Sequence, residues 1–145
     1  MLKLTYTESG LRMERLDQSV EAFIAQRVLL GLRTGTSVTA QPSTASFLLV
    51  TRLPEMVELS AIATRCEHRR LSLSVGDATF TEVCLAGCWL TNSGNLTDSR
   101  TVSRQPVEGL LVAELSPMLE RLLIRLWQSS NQLLQRQSVN FHQAS

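Results

Sequence analysis

The sequence predicts a single α+β domain, an antiparallel sheet of hairpins with two or three helices packed on one face. Three observations lead there. Apolar and polar side chains alternate from Leu2 to Tyr6 and again from Leu11 to Arg15, the period of a strand with one buried face. Val20, Phe23, Ile24, Val28 and Gly31 recur at the spacing of one helix face. Ser116-Pro117 then heads a longer helical run through Met118, Leu119, Leu122, Leu123, Leu126 and Trp127. A chain of 145 residues can bury roughly 70% of its unfolded surface, enough for one proper core.

Glu8-Ser9-Gly10 is turn chemistry and joins the first two strands into a hairpin. Asp17 stands where a helix N-cap would, so a helix is expected from about Gln18 to Arg33, with Arg27 and Arg33 complementing its dipole and Gly35 ending it. Thr36 to Ala40 are β-prone, Gln41-Pro42-Ser43 reads as a turn, and Ala45 to Val50 as a buried strand, giving a two-stranded unit bent at the proline. Leu53-Pro54 opens a helix that runs to about Cys66, with Pro54 at its first position. Leu71 to Val75 and Ala78 to Leu85 form a second hairpin across Gly76-Asp77, and Gly87 marks a bulge before Cys88-Trp89-Leu90. Thr91 to Pro106 is polar and aperiodic, a loop or lid. Gly109 to Leu115 returns to the sheet, about five to seven strands in all. Ser116 as N-cap, Pro117 at the first helical position and Glu120 near the positive end of the dipole start the last helix. One domain covers residues 1–137, and residues 138–145 form a disordered tail.

A formal charge of +1 creates no field that would gather nucleic acid or an anionic membrane, so nucleic acid is not an expected partner. The basic residues are Lys3 and thirteen arginines. Guanidinium groups suit carboxylate and phosphate, although paired surface arginines contribute little. Cys66, Cys84 and Cys88 are an odd set without a signal peptide ahead of them, which points to free thiols in a reducing, cytoplasmic setting. No apolar run approaches the roughly 18 residues that span a bilayer.

No catalytic constellation emerges. Nucleophilic chemistry needs a base beside its Ser, Thr or Cys, and the histidines are His68, in an arginine-rich turn, and His142, in the expected tail. Cys66, His68, Cys84 and Cys88 have no standard zinc spacing, so no metal and no cofactor are expected. Gly31 to Thr36 lacks the lysine of a phosphate loop. The hydroxyls between Thr34 and Ser46 either line a small-ligand pocket or simply suit a strand edge and its turns. Arg65, His68, Arg69 and Arg70 either seat an anion or complement the end of their own helix. An anion-binding reading therefore rests on Arg33, Thr36, Ser43, Thr44, Arg65, His68, Arg69 and Arg70. Asn95-Leu96-Thr97 matches a glycosylation acceptor by chance. The apolar surfaces are more informative. Leu29, Leu30, Leu32, Leu126 and Trp127 exceed what one sheet face needs, and they suit either the core or an interface with a protein partner or a second copy.

MLKLTYTESG, VLLGLRTGTS, PSTASFLL, GCWLT and the closing RLW helix resemble a family of small uncharacterised proteins found in cyanobacteria, over Met1 to about Trp127. The resemblance implies a cytosolic or thylakoid-associated setting in a photosynthetic bacterium and assigns no residue a catalytic role. The function expected is a non-catalytic protein-interaction or assembly module. The alternative is a small-ligand or anion-binding regulatory domain.

Overall fold

The computed structural model describes residues 1–66, 69–92 and 108–143, with side chains placed through Ser138. The elements run β1 (Leu2–Thr7), β2 (Gly10–Arg15), α1 (Val20–Thr34), β3 (Val38–Val50), α2 (Met56–Arg65), β4 (Leu71–Val75), β5 (Phe80–Asn92), β6 (Gly109–Ala113) and α3 (Pro117–Gln143). The six strands form one antiparallel sheet in the order β2-β1-β6-β5-β3, with β4 pairing β5 off that path. The α+β class and its hairpins are thus as the alternation implies. Two helices, α2 and α3, share one face, and α1 lies on the other.

That division follows from the strand period of two. Leu2, Leu4, Met13, Phe47, Leu49, Leu71, Val83, Leu85, Trp89 and Leu111 meet Met56 and Leu59 of α2 and Leu119, Leu122, Leu123 and Leu126 of α3 in the main core. The alternate residues Cys88, Leu90, Leu110 and Val112, with Met1 and Leu16, meet Val20, Phe23 and Ile24 of α1 in a smaller second core. The sheet is strongly curled around α3, which touches both β2 and β3, strands at opposite edges. In a flat sheet β1 and β3 would lie about 14 Å apart. Nevertheless Tyr6 of β1 donates its hydroxyl to the Ser46 carbonyl of β3 at 3.1 Å, and its ring lies 5.4 Å from that of Trp89. Trp89 Nε1 donates to the Thr44 carbonyl at 3.1 Å. Burial pushes the Tyr6 phenol up to about 12, with Cys84 adding to the shift.

Several boundaries differ from the sequence reading. Ser19, not Asp17, caps α1: its hydroxyl accepts from the Ala22 N–H at 3.2 Å, and Asp17 turns back toward Arg15 at 3.7 Å. Gln41-Pro42-Ser43 is not a bend. β3 is one strand of 13 residues paired in unbroken register with β5, Pro42 opposite Cys88. Because β3 is a sheet edge, the proline nitrogen can face away from β5 and no ladder bond is lost. Gly87 makes no bulge against β3 either, since that register runs straight through it. Its role is close approach: a Cβ there would stand 2.4 Å from the Val112 carbonyl oxygen of β6. The Asp77 side chain forms the β4–β5 turn by accepting from the Thr79 and Phe80 N–H groups at 2.6 and 2.9 Å. Pro54 precedes α2, which begins at Met56.

The last helix starts as expected, with the Leu119 N–H donated to the Ser116 hydroxyl at 3.3 Å. It continues through Gln143, so the segment from Ser138 to Gln143, expected to be a disordered tail, is helical. At 1.5 Å per residue α3 is about 40 Å long. Glu120 does more than meet the helix dipole. It is 1% exposed, with Oε1 2.6 Å from the Met1 ammonium and Oε2 3.2 Å from Arg15 Nε. The ammonium also donates to the Leu16 carbonyl at 3.0 Å. This buried charge set ties the start of α3 to β1 and β2.

Candidate functional site

The residues that could carry function gather around α1, and its sequence explains why. Val20, Phe23, Ile24, Arg27 and Gly31 follow the spacing of one helix face, and Val20, Phe23 and Ile24 pack on the sheet. Gly31 is buried where a Cβ would meet Val38 Cγ2 at 2.8 Å, so the glycine lets the end of α1 close against β3. Gly35 ends the helix at φ 72°, and the Thr36 N–H reaches the Gly31 carbonyl at 2.9 Å.

On the outward side Ala22, Ala25, Leu29 and Leu32 recur at three- and four-residue steps, and all are exposed. Leu29 is 55% and Leu32 72% exposed, with Val28 at 37% on their flank. A 15-residue helix thus presents apolar groups on two sides, one spent on the sheet and one facing solvent. On the same second face of the sheet, beyond the reach of α1, Leu48, Ser72 and Ser74 are also exposed.

Between the other flank of α1 and the sheet lies a groove of about 750 Å³. Its floor is Lys3, Thr5 and Thr7 of β1 with Leu90 and Asn92 of β5 and Leu110 of β6. Its wall is Phe23, Gln26, Arg27 and Leu30 of α1, and Glu108 and Gly109 stand at the start of β6. The groove exists because the first half of α1 meets apolar strand residues, whereas the second half faces the polar alternates of β1. Lys3 Nζ lies 3.6 Å from Glu14 and 5.8 Å from the Phe23 ring centroid, which fixes it under the helix.

No hydrogen bond or ion pair among the described residues joins two members of the anion-binding set read from the sequence. Thr36, together with Thr34, is used at the end of α1, with both hydroxyls directed to the Gly31 carbonyl at 3.5 and 3.2 Å. Arg33 is exposed, as are Ser43 and Thr44 in the middle of β3. Arg70 donates to the Glu114 carbonyl at 3.1 Å, Arg65 and Arg69 are exposed, and His68 lies outside the described residues. Most of the Thr91 to Pro106 loop and the Asn95 pattern lie outside them too, while Thr91 and Asn92 complete β5. Of the proposed interface, Leu126 is fully buried in the main core and Trp127 packs edge-on against Phe47 at 5.5 Å, so these two are core residues. Leu30 lines the groove, and Leu29 and Leu32 remain free.

Cys66, Cys84 and Cys88 are free and half-buried. Burial, with Glu82 beside it, raises the Cys84 thiol above its ordinary value, which makes it a poor nucleophile at neutral pH. Among the described residues no three His, Cys, Asp or Glu side chains group as a metal site, and no helix is long and apolar enough to cross a membrane.

Sequence reasoning missed the groove, of which the sequence carries only separate pieces. Arg27 occupies a sheet-facing position of the helical pattern, and Lys3 and Thr5 are the alternates of a strand whose second face is itself covered. Residues 1–131 match the family described as Alr0857-like. No curated protein and no solved structure matches the chain.

Proposed function

The chain belongs to the Alr0857-like family, and we propose that it is a non-catalytic interaction or assembly module whose docking face is the outer side of α1. The observation that supports this is the exposure of Leu29 and Leu32, 55% and 72%, on a helix whose opposite side is already packed. Holding such residues in water forgoes roughly 1.5–3 kcal/mol for each side chain that burial would recover. The partner is a protein surface with an apolar centre, and a second copy of the chain is the first candidate. Ala22 and Ala25 in the first half of the stripe, against Leu29 and Leu32 in the second, would pack small against large in an antiparallel pair of such helices. The setting proposed with it is cytosolic or thylakoid-associated, in a photosynthetic bacterium.

The test is the double variant Leu29→Glu, Leu32→Glu compared with the wild type by light scattering across a concentration series and by pull-down from native cells. A wild-type dimer or a stable protein partner, lost in the variant while thermal stability is kept, supports the reading. A wild type that stays monomeric and retains the same partners as the variant ends it.

A further inference from the structure

We propose that the groove beneath the second half of α1 binds a small amphipathic anion, one carboxylate or phosphate group carried on a short apolar body. The site is separate from the docking face, on the opposite flank of the same helix, and does not depend on that reading.

Arg27 carries the inference. It sits on the sheet-facing line of α1, where Val20, Phe23 and Ile24 are packed and Gly31 is buried, yet it is half-buried and points its charge toward a groove rather than a core. Among the described residues Arg15 and Arg125 meet carboxylates, and none of the ion pairs involves Arg27. A guanidinium held near a low-dielectric wall, and joined to no carboxylate among the described residues, favours an anion from outside. Lys3 lies across the same groove. Its ammonium is shared with Glu14 at 3.6 Å, so it adds positive potential while Arg27 offers a hydrogen-bonding fork that no ion pair among the described residues engages.

The neutral lining sets the rest of the ligand. Phe23, Leu30, Leu90 and Leu110 supply an apolar wall beside the two cations, and Thr5, Thr7 and Gln26 supply neutral donors. A bare inorganic ion would leave the apolar wall wet, and a pure hydrocarbon would leave Arg27 unmet. A volume of about 750 Å³ falls inside the roughly 300–1,000 Å³ of ordinary small-molecule sites. Glu108, at the start of β6, argues against a polyanion, because a second negative charge would face it.

The probes are octanoate and octyl phosphate, titrated into the full chain and followed by thermal shift and by amide chemical shifts, with inorganic phosphate and octanol as the two half-ligands. Both octyl anions are expected to saturate, raise Tm and move the amides of β1 and α1, with each half-ligand at least about 10-fold weaker. Arg27→Gln should weaken octanoate by about 10- to 100-fold, the range of one charge-assisted hydrogen bond. Arg33→Gln, at an exposed position, should change nothing. Gln26→Trp, on the exposed shoulder of the helix, should crowd the groove beside Arg27 and weaken binding with Arg27 intact, which keeps the test decisive if Arg27→Gln folds poorly. The proposal is overturned if neither octyl anion binds saturably at millimolar concentration, so that the groove holds only water. Octanol binding as well as octanoate, Gln26→Trp binding like the wild type, or binding seen only with phosphatidylglycerol vesicles would overturn it equally. Retained octanoate binding by the Leu29→Glu, Leu32→Glu variant would separate this site from the docking face.

Discussion

Under α2 and α3, leucines from the strands interlock with Leu119, Leu122, Leu123 and Leu126, and edge strands on both sides bend in to meet α3. Under α1 a smaller set, Met1, Leu16, Cys88, Leu90, Leu110 and Val112, is covered, and the packing gives way to Lys3, Thr5 and Arg27 around a groove. The same strands build both faces, so the difference is not one of secondary structure. It lies in which alternates are apolar. A face that is apolar along its whole length seals and supplies stability, whereas one that turns polar halfway leaves a gap and a helix with an unpacked side. Stability and recognition are thereby divided between opposite faces of one sheet.

Changes at the edge of the sealed face should have the largest effect. Glu120→Ala removes the anion between the Met1 ammonium and Arg15, leaving a cation buried without its partner. A loss of about 3–5 kcal/mol is expected in chemical denaturation. A loss below about 1 kcal/mol would show that the charge set does not hold α3 in place.

The two faces can be compared directly within the β3–β5 ribbon. Leu85, fully buried toward α2 and α3, should cost about 2–5 kcal/mol on conversion to alanine. Leu48, 50% exposed on the second face, should change stability by no more than about 0.5 kcal/mol as Leu48→Ser. Equal losses would mean that the second face is closed in solution and would break the contrast.

A smaller effect sharpens the curl of the sheet. Tyr6→Phe removes the hydroxyl that reaches the Ser46 carbonyl, at a cost of about 1 kcal/mol. The folded phenol titrates near 12 against an ordinary value of 10.0. The folded state therefore keeps a proton that the unfolded state releases in that window. This contribution is fully present below pH 10 and is lost as pH rises toward about 12. In urea titrations across that range the wild type should lose stability more steeply than Tyr6→Phe. Parallel slopes would place the phenol in solvent.

Much of the fold was legible because it rests on local rules. The alternation of Leu2 to Tyr6, the αL glycine at Gly35 and the Ser116-Pro117 helix start each depend on residues close in sequence. The errors share another cause. Pro42 reads as a bend until β3 is known to be an edge, and Gly87 reads as a bulge until Val112 is placed against it. Leu126 and Trp127 read as surplus apolar area until the sheet is seen to curl around α3. The candidate site was less legible still. The exposed Leu29 and Leu32 could be read from α1 being apolar nearly all round. The groove could not, because Lys3 and Arg27 are 24 residues apart and meet only when α1 crosses the second face of β1.

The sequence by itself determined the antiparallel α+β class, the helix caps at Gly35 and Ser116, and which strand residues share a face, since period and capping are properties of neighbouring residues. Only the tertiary structure decided that α1 lies opposite α2 and α3, and that Glu120 is buried against the Met1 ammonium. It also decided that a helix apolar on two sides leaves one of them in water with a cation-lined groove at its flank. These outcomes depend on how a curled sheet distributes its two faces among three helices, and no local rule specifies that distribution.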